Sequence, residues 1–83
     1  MKNEFPKNLL PEGWAAEPWS YTCDRYTVIT RTAPLGSVTI DWQTRTWRGG
    51  MGYSGTPSST KKYVGAGWRK RIAQDAIAWL EAA

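Results

Sequence analysis

Apolar and polar residues alternate most regularly in the run 37–42. Val38, Ile40 and Trp42 share one side of an extended chain there, and the residues between them are polar. Alternation with a period of two is typical of a strand that has one buried face. This run therefore predicts a β-strand whose apolar side meets a core.

Further strands are predicted on both sides of this run, because Thr, Val, Ile, Tyr and Trp are concentrated between Trp19 and Arg48. Short connections favour antiparallel neighbours and a sheet with one solvated face. In the predicted strand 26–32, Ile29 lies on the opposite face from Tyr26 and Val28, so the sequence leaves open which face of that strand points inward. The other predicted strands are 19–23, 26–32 and 45–49, and the predicted turns are Asp24-Arg25, Pro34-Leu35-Gly36 and 41–44.

A single apolar stripe at helical spacing runs through the C-terminal segment. Its positions, at i, i+4, i+8, i+11 and i+12, are Trp68, Ile72, Ala76, Trp79 and Leu80. This spacing predicts a helix over 68–82 that lies on the buried face of the sheet. The predicted fold class is therefore α+β: a three- to four-stranded antiparallel meander sheet packed against one C-terminal α-helix.

The N-terminal residues 1–13 show neither a helical nor a strand period. We expect an irregular arm there, with Phe5 or the pair Leu9-Leu10 docked on the body. The remaining residues, 14–83, are expected to form a single compact domain.

Gly, Ser, Thr and Pro dominate residues 49–60, and this composition predicts a loop. After the loop, the residues Lys61-Lys62-Tyr63-Val64 are expected to form a brief strand. Gly65-Ala66-Gly67 then leads into the helix.

The chain has 83 residues and six tryptophans. A domain of this size buries only about 60–65% of the surface that its unfolded chain exposes, so a few large side chains must make most of the core. We expect most tryptophans to serve the core for this reason. Trp19 and Trp47 lie outside the clearest apolar patterns and are the best candidates for exposure.

Cys23 is the only cysteine, and the chain has no histidine. A lone thiol in a short chain favours a reducing compartment, so we expect a cytoplasmic protein. Since the commonest general base and metal ligand is missing, we expect no enzyme activity, no metal site and no cofactor. The glycines of 49–55 do not match a phosphate loop. No apolar run approaches the roughly 18 residues of a membrane span, so we expect no membrane association.

The most unusual charge pattern stands where the predicted helix begins. Arg69, Lys70 and Arg71 occupy the first turn, where cations oppose the helix dipole by about 0.3–1 kcal/mol each. Lys61 and Lys62 lie just upstream, and the whole chain carries a formal net charge of +4. Such a patch suits a phosphate backbone or an acidic protein equally well. Alternatively, the long basic side chains simply cover Trp rings.

The favoured function is a small DNA- or RNA-associated accessory protein. The alternatives are a protein-interaction module or inhibitor that docks on an acidic partner, and a structural domain with no ligand; the oligomeric state is open. The solvated sheet face is expected to display Arg31 and Arg45 among its polar residues. The candidate anion-binding residues are Lys61, Lys62, Arg69, Lys70 and Arg71 around the helix start, with Arg31, Arg45 and Arg48 on the sheet.

Two resemblances accompany this interpretation. A three-stranded antiparallel sheet followed by one helix resembles, in architecture, the small plant-type and integrase-arm DNA-binding domains, which place the sheet in a major groove. The pattern Tyr63-x-Gly65-x-Gly67-Trp68, followed by Asp75-Ala76 and Leu80 after a Gly-Ser-Val-Thr-Ile-Asp strand, resembles small uncharacterised bacterial and phage proteins. No activity is established for those proteins, so this resemblance implies none for this chain.

Overall fold

The structure, a computed structural model, describes residues 5–20, 23–32, 34–50 and 62–82. The strands pair in sequence order and each is antiparallel to its neighbour, so the sheet order is β1-β2-β3-β4. The predicted α+β fold is confirmed. The elements are a 3₁₀ turn at Lys7–Leu9, β1 (Ala15–Ser20), β2 (Cys23–Thr32), β3 (Leu35–Asp41), β4 (Thr46–Gly49) and α1 (Trp68–Ala82).

The first chain reversal lies earlier than predicted. Asp24 and Arg25 are not a turn, because both belong to β2, and Ser20 pairs with Cys23 at the end of the hairpin. As a strand residue, Arg25 reaches across to Asp41 of β3 and forms an ion pair with it. This cross-strand partner outweighs the weak turn preference of an Asp-Arg pair, which lacks glycine.

The second reversal is also tighter than predicted. Thr32 pairs with Leu35, and Gly36 pairs with Arg31, so Leu35 and Gly36 already belong to β3. Of the three predicted turn residues, only Pro34 lies outside a strand.

The third reversal follows the prediction in its chemistry. Asp41 Oδ1 accepts hydrogen bonds from the backbone N–H groups of Gln43 (3.0 Å) and Thr44 (3.2 Å). Arg45 has a φ of 59°, which is a left-handed conformation that no strand accommodates. Consequently β4 begins at Thr46, one residue later than predicted.

The two sheet faces have distinct roles. Val38, Ile40 and Trp42 are buried on the side that meets α1, as their alternation predicts. Ile29 pairs with Val38 and so points to the same side, which resolves the parity that the sequence left open. Tyr26 and the other β2 residues that alternate with Ile29 therefore lie on the opposite face of the sheet, away from α1.

The core lies between the sheet and α1. The helix packs mainly on β3 and β4, and the first residues of the chain add to the same core. Phe5 is only 9% exposed, and Leu9 and Leu10 pack against the buried cluster, so the expected docking of the arm is observed. The buried helix residues are Ile72, Ala73, Ala76, Ile77 and Leu80.

The tryptophans differ in their exposure, and those with the least exposed surface contribute to the core of this small domain. Trp42 is 4% exposed, whereas Trp19 is 52% exposed, as predicted. Trp47 is half-buried, with its ring centroid 5.7 Å from that of Trp79, so its predicted exposure is only partial.

The segment between β4 and α1 is only partly described. The predicted loop over 49–60 lies outside the described residues from position 51 onward, and Gly49 ends β4. The predicted strand at Lys61–Val64 is not seen in its described part, 62–64, although Tyr63 N–H donates to the Arg45 carbonyl at 3.1 Å. Among the described residues, no helix is long and apolar enough to span a membrane.

Candidate functional site

Two glycines allow the sharp entry into α1. Gly65 and Gly67 have φ values of 88° and 78°, which other residues adopt only with strain. Trp68 N–H donates to the Gly65 carbonyl at 3.3 Å, and Arg71 N–H donates to the Gly67 carbonyl at 3.1 Å. The first helical turn is therefore set by the backbone of the Gly65–Gly67 segment.

Arg71 closes this entry segment with its side chain. Its Nη1 donates to the Ala66 carbonyl oxygen at 2.7 Å, and its Nη2 donates to the Val64 carbonyl oxygen. Carbonyl dipoles thus surround one of the three cations in the first turn. This contact explains how the helix tolerates a cation where its own dipole disfavours one.

Two other arginines gather on the ring of Trp68. The Arg45 Cζ lies 4.3 Å from the ring centroid of Trp68, and the Arg69 Cζ lies 4.8 Å from it. Trp68 also makes an edge-to-face contact with Trp42, with 5.9 Å between centroids. The β3–β4 turn and the helix start are therefore joined through aromatic rings and guanidinium groups.

The same end of the molecule holds the exposed lysines. Lys62 precedes Tyr63, whose backbone bonds to Arg45, and Lys70 follows Arg69 on the first turn of α1. Both lysines are exposed. We call this set the helix-start surface; its described members are Arg45, Lys62, Arg69, Lys70 and Arg71. Lys61, the remaining candidate from this part of the sequence, lies outside the described residues.

A cleft borders the helix-start surface where the N-terminal arm approaches α1. Its volume is about 380 Å³, and Arg69 and Lys70 line one side while Asn8 and Leu9 line the other. The arm thus limits the helix-start surface on one side.

A chain of hydrogen bonds fixes the segment before α1 against the helix. Trp47 Nε1 donates to the Tyr63 hydroxyl at 3.2 Å, and that hydroxyl donates to Asp75 Oδ2 at 2.5 Å. Burial, the bond to Asp75 and the charge of that carboxylate raise the pKa of Tyr63 from 10.0 to about 12, although the bond from Trp47 opposes this. The folded state therefore holds the phenolic proton more tightly than the unfolded state does.

This raised pKa predicts a loss of stability in alkali. The contribution of Tyr63 is fully present below pH 10 and is lost as the pH rises through about 12. Urea denaturation at intervals between these pH values is expected to show a smaller loss for Tyr63→Phe than for the unmodified chain. Equal losses in the two proteins would contradict the role of this hydroxyl.

Arg31 does not lie on the solvated face, so that expectation is wrong. It is 8% exposed on the helix side of the sheet, beside the end of α1. Its Nη1 donates to the Leu80 carbonyl at 2.5 Å, and its Nε donates to the Pro34 carbonyl at 2.9 Å. A cation is favourable at a helix C-terminus, and here it also satisfies the Leu80 carbonyl, which lies in the last turn of α1 and has no partner within the helix.

Arg45 and Arg48 lie on opposite sides of the sheet. Arg45 is half-buried, with its guanidinium against Trp68 on the helix side, rather than displayed on the solvated face. Arg48 is exposed on the face away from α1, where it pairs with Thr39. The structure therefore brings Arg45 to the helix-start surface and separates Arg31 and Arg48 from it.

Arg25 is the cation that the sequence argument missed. Its Nε and Nη2 donate to Asp41 Oδ1 and Oδ2 at 3.0 and 2.9 Å. Its Cζ lies 5.0 Å from the Tyr26 ring centroid. The sequence predicts Asp41 as a turn residue, but it does not predict this cross-strand partner, because it places Arg25 in a turn rather than in β2.

The five described cations of the helix-start surface come from the β3–β4 turn, the segment before α1 and the first helical turn. Two of them, Arg45 and Arg69, meet on the Trp68 ring. Comparisons with protein-family models, curated protein sequences and solved structures find no match to this chain.

Proposed function

We propose that this chain is a small nucleic-acid-associated protein that binds phosphate groups of DNA or RNA through the helix-start surface. The observation that carries the proposal is the meeting of Arg45 with Arg69 on one ring, Trp68. These arginines are 24 positions apart in the sequence, yet their guanidinium groups lie within 5 Å of the same centroid.

The ring contacts do not remove the positive charge. A cation–π contact leaves a guanidinium fully ionised, and the group retains its planar array of N–H donors. Holding the arginine side chains against Trp68 also restricts their conformations before a ligand arrives. Less conformational entropy is then lost when they bind a phosphate.

Exposed lysines favour nucleic acid over an acidic protein partner. Lysine is depleted at the centre of protein–protein interfaces, where apolar and aromatic residues dominate. Lys62 and Lys70 are both exposed within the helix-start surface. Phosphate backbones, in contrast, are commonly neutralised by lysine and arginine side chains without any apolar centre.

The double variant Lys62→Gln/Lys70→Gln tests this proposal with little disturbance of the fold. Binding to fluorescently labelled duplex and single-stranded oligonucleotides is measured by anisotropy, starting at about 50 mM salt. The variant is expected to bind roughly tenfold more weakly. Its log–log salt slope on duplex is expected to be shallower by about 1.8, because each neutralised phosphate contributes about 0.9.

The matched control is Lys62→Arg/Lys70→Arg, which keeps both charges and is expected to retain affinity and salt slope. Arg71 is unsuitable for such a test, because its side chain also bonds to the Val64 and Ala66 carbonyls. Absence of salt-sensitive binding by the unmodified chain at about 50 mM salt would overturn the proposal.

A further inference from the structure

The cleft between the N-terminal arm and the start of α1 has two chemically different walls. Its volume of about 380 Å³ lies near the lower end of the roughly 300–1,000 Å³ that is typical of small-molecule sites. The cleft can therefore admit one flat ring system. Its arm wall is formed by Pro6, Asn8 and Leu9, and its helix wall by Gly67, Arg69 and Lys70.

The arm wall is mainly apolar. Pro6 and Leu9 are half-buried, and Leu9 packs against the buried core. The backbone N–H of Leu9 donates to the Pro6 carbonyl at 3.0 Å, so these two polar groups are already paired. A charged group placed against this wall would lose water without gaining a partner, whereas the face of a planar ring would be covered favourably.

Asn8 gives the arm wall a polar side chain. It is exposed, so a ligand can approach its amide from solvent. A side-chain amide carries a carbonyl acceptor and two N–H donors close together. Nucleobases present donors and acceptors side by side on their edges, and Asn contacts bases through such pairs. The arm wall thus offers apolar contact for a ring and hydrogen bonds for its edge.

The helix wall is positively charged. Arg69 and Lys70 line it, and both belong to the helix-start surface. Lys70 is exposed, and Gly67 has no side chain to fill the cleft. Of the described residues that line the cleft, none is acidic. This wall therefore attracts a phosphate, while a ring attached to that phosphate reaches the arm wall.

We propose that the cleft receives one unpaired base of a single-stranded nucleic acid, with its ring on the arm wall, its edge at the Asn8 amide and its phosphate at Lys70. This inference rests on the proposed function, because the adjoining phosphates follow the helix-start surface. It adds a preference for single strands, since a base inside a duplex is stacked and paired and does not reach such a cleft.

Two single strands of equal length separate base binding from phosphate binding. One is fluorescently labelled oligo(dT), and the other is a labelled strand in which every residue is abasic, so both carry the same phosphates. Binding is measured by anisotropy at about 50 mM salt. The unmodified chain is expected to bind oligo(dT) about tenfold more tightly, which corresponds to one or two hydrogen bonds.

Variants at Asn8 place the base in the cleft. Asn8→Leu keeps the approximate size of the side chain and removes its amide. It is expected to weaken the binding of oligo(dT) about threefold and to leave the affinity for the abasic strand unchanged. The matched control, Asn8→Gln, keeps an amide and is expected to retain the preference. Lys70→Gln is expected to weaken both strands equally and to reduce both salt slopes by about 0.7.

The outcomes separate this inference from the proposed function. Equal affinity of the unmodified chain for the two strands overturns the binding of a base, even when salt-sensitive binding is strong. A preference for oligo(dT) that Asn8→Leu retains in full overturns the placement of the base in the cleft. If the unmodified chain binds neither single strands nor duplex at about 50 mM salt, the proposed function itself is overturned.

Discussion

Replacing Trp42 with Ala is expected to destabilise the fold by about 3–5 kcal/mol, the usual range for removing a buried aromatic side chain. Trp42 is 4% exposed and lies where β3, β2 and the start of α1 meet. Its Nε1 donates to Thr27 Oγ1 at 2.7 Å, and its ring contacts Trp68 edge to face. A small domain has only about 5–15 kcal/mol of stability in total, so a large fraction would be lost.

Urea denaturation followed by circular dichroism measures this loss. The control is Trp19→Ala, which removes the same side chain from a position that is 52% exposed. We expect that control to change the free energy of unfolding by less than about 1 kcal/mol, as surface substitutions usually do. A Trp42→Ala variant as stable as the control would contradict the predicted contribution of the buried Trp42 side chain to stability.

Replacing Gly49 with Ala is expected to cost about 1–3 kcal/mol through overpacking. A Cβ at Gly49 would lie 2.5 Å from Cη2 and 2.7 Å from Cζ2 of Trp79. The Trp79 ring is held beside Trp47, with 5.7 Å between their centroids, so it cannot simply withdraw. The close approach of β4 to α1 therefore requires glycine at this position.

A double-mutant cycle isolates this clash. Trp79→Leu removes the ring atoms, so adding Gly49→Ala to it is expected to cost much less than in the unmodified chain. Gly36→Ala serves as a milder comparison, because its Cβ would lie 2.9 Å from Leu80 Cδ1 and 3.3 Å from Arg31 Nε, farther than the Gly49 Cβ would lie from the Trp79 ring. Additive costs in the cycle would show that the penalty has another origin.

Periodicity predicted the regular elements of this fold accurately where packing and local preference agree. The helical stripe predicted α1 with the bounds that the structure has, Trp68–Ala82. The alternation of Val38, Ile40 and Trp42 predicted the buried face of β3. The ability of Asp41 to accept backbone N–H bonds predicted the turn that follows. Each of these features depends on neighbours within a few positions.

Local pattern predicts less of the candidate site. It identifies Arg69, Lys70 and Arg71 in the first turn of α1, but it does not predict that the Arg71 side chain donates to the Val64 and Ala66 carbonyls. Local pattern also does not predict that Arg31 is buried on the helix side of the sheet, where it donates to the Leu80 carbonyl. A buried cation is stable only with such partners, and they come from a distant part of the chain.

By itself, the sequence determined the fold class, the helix, the buried side of the central strand and a cationic helix start, because short-range periodicity and charge decide these features. Tertiary structure alone decided that Arg45 joins Arg69 on Trp68, that Arg25 pairs with Asp41, and that Arg31 caps the end of α1. Strand register and helix docking set these contacts, and they join residues separated by 16 to 49 positions. Sequence patterns over a few neighbouring residues cannot predict contacts across such separations.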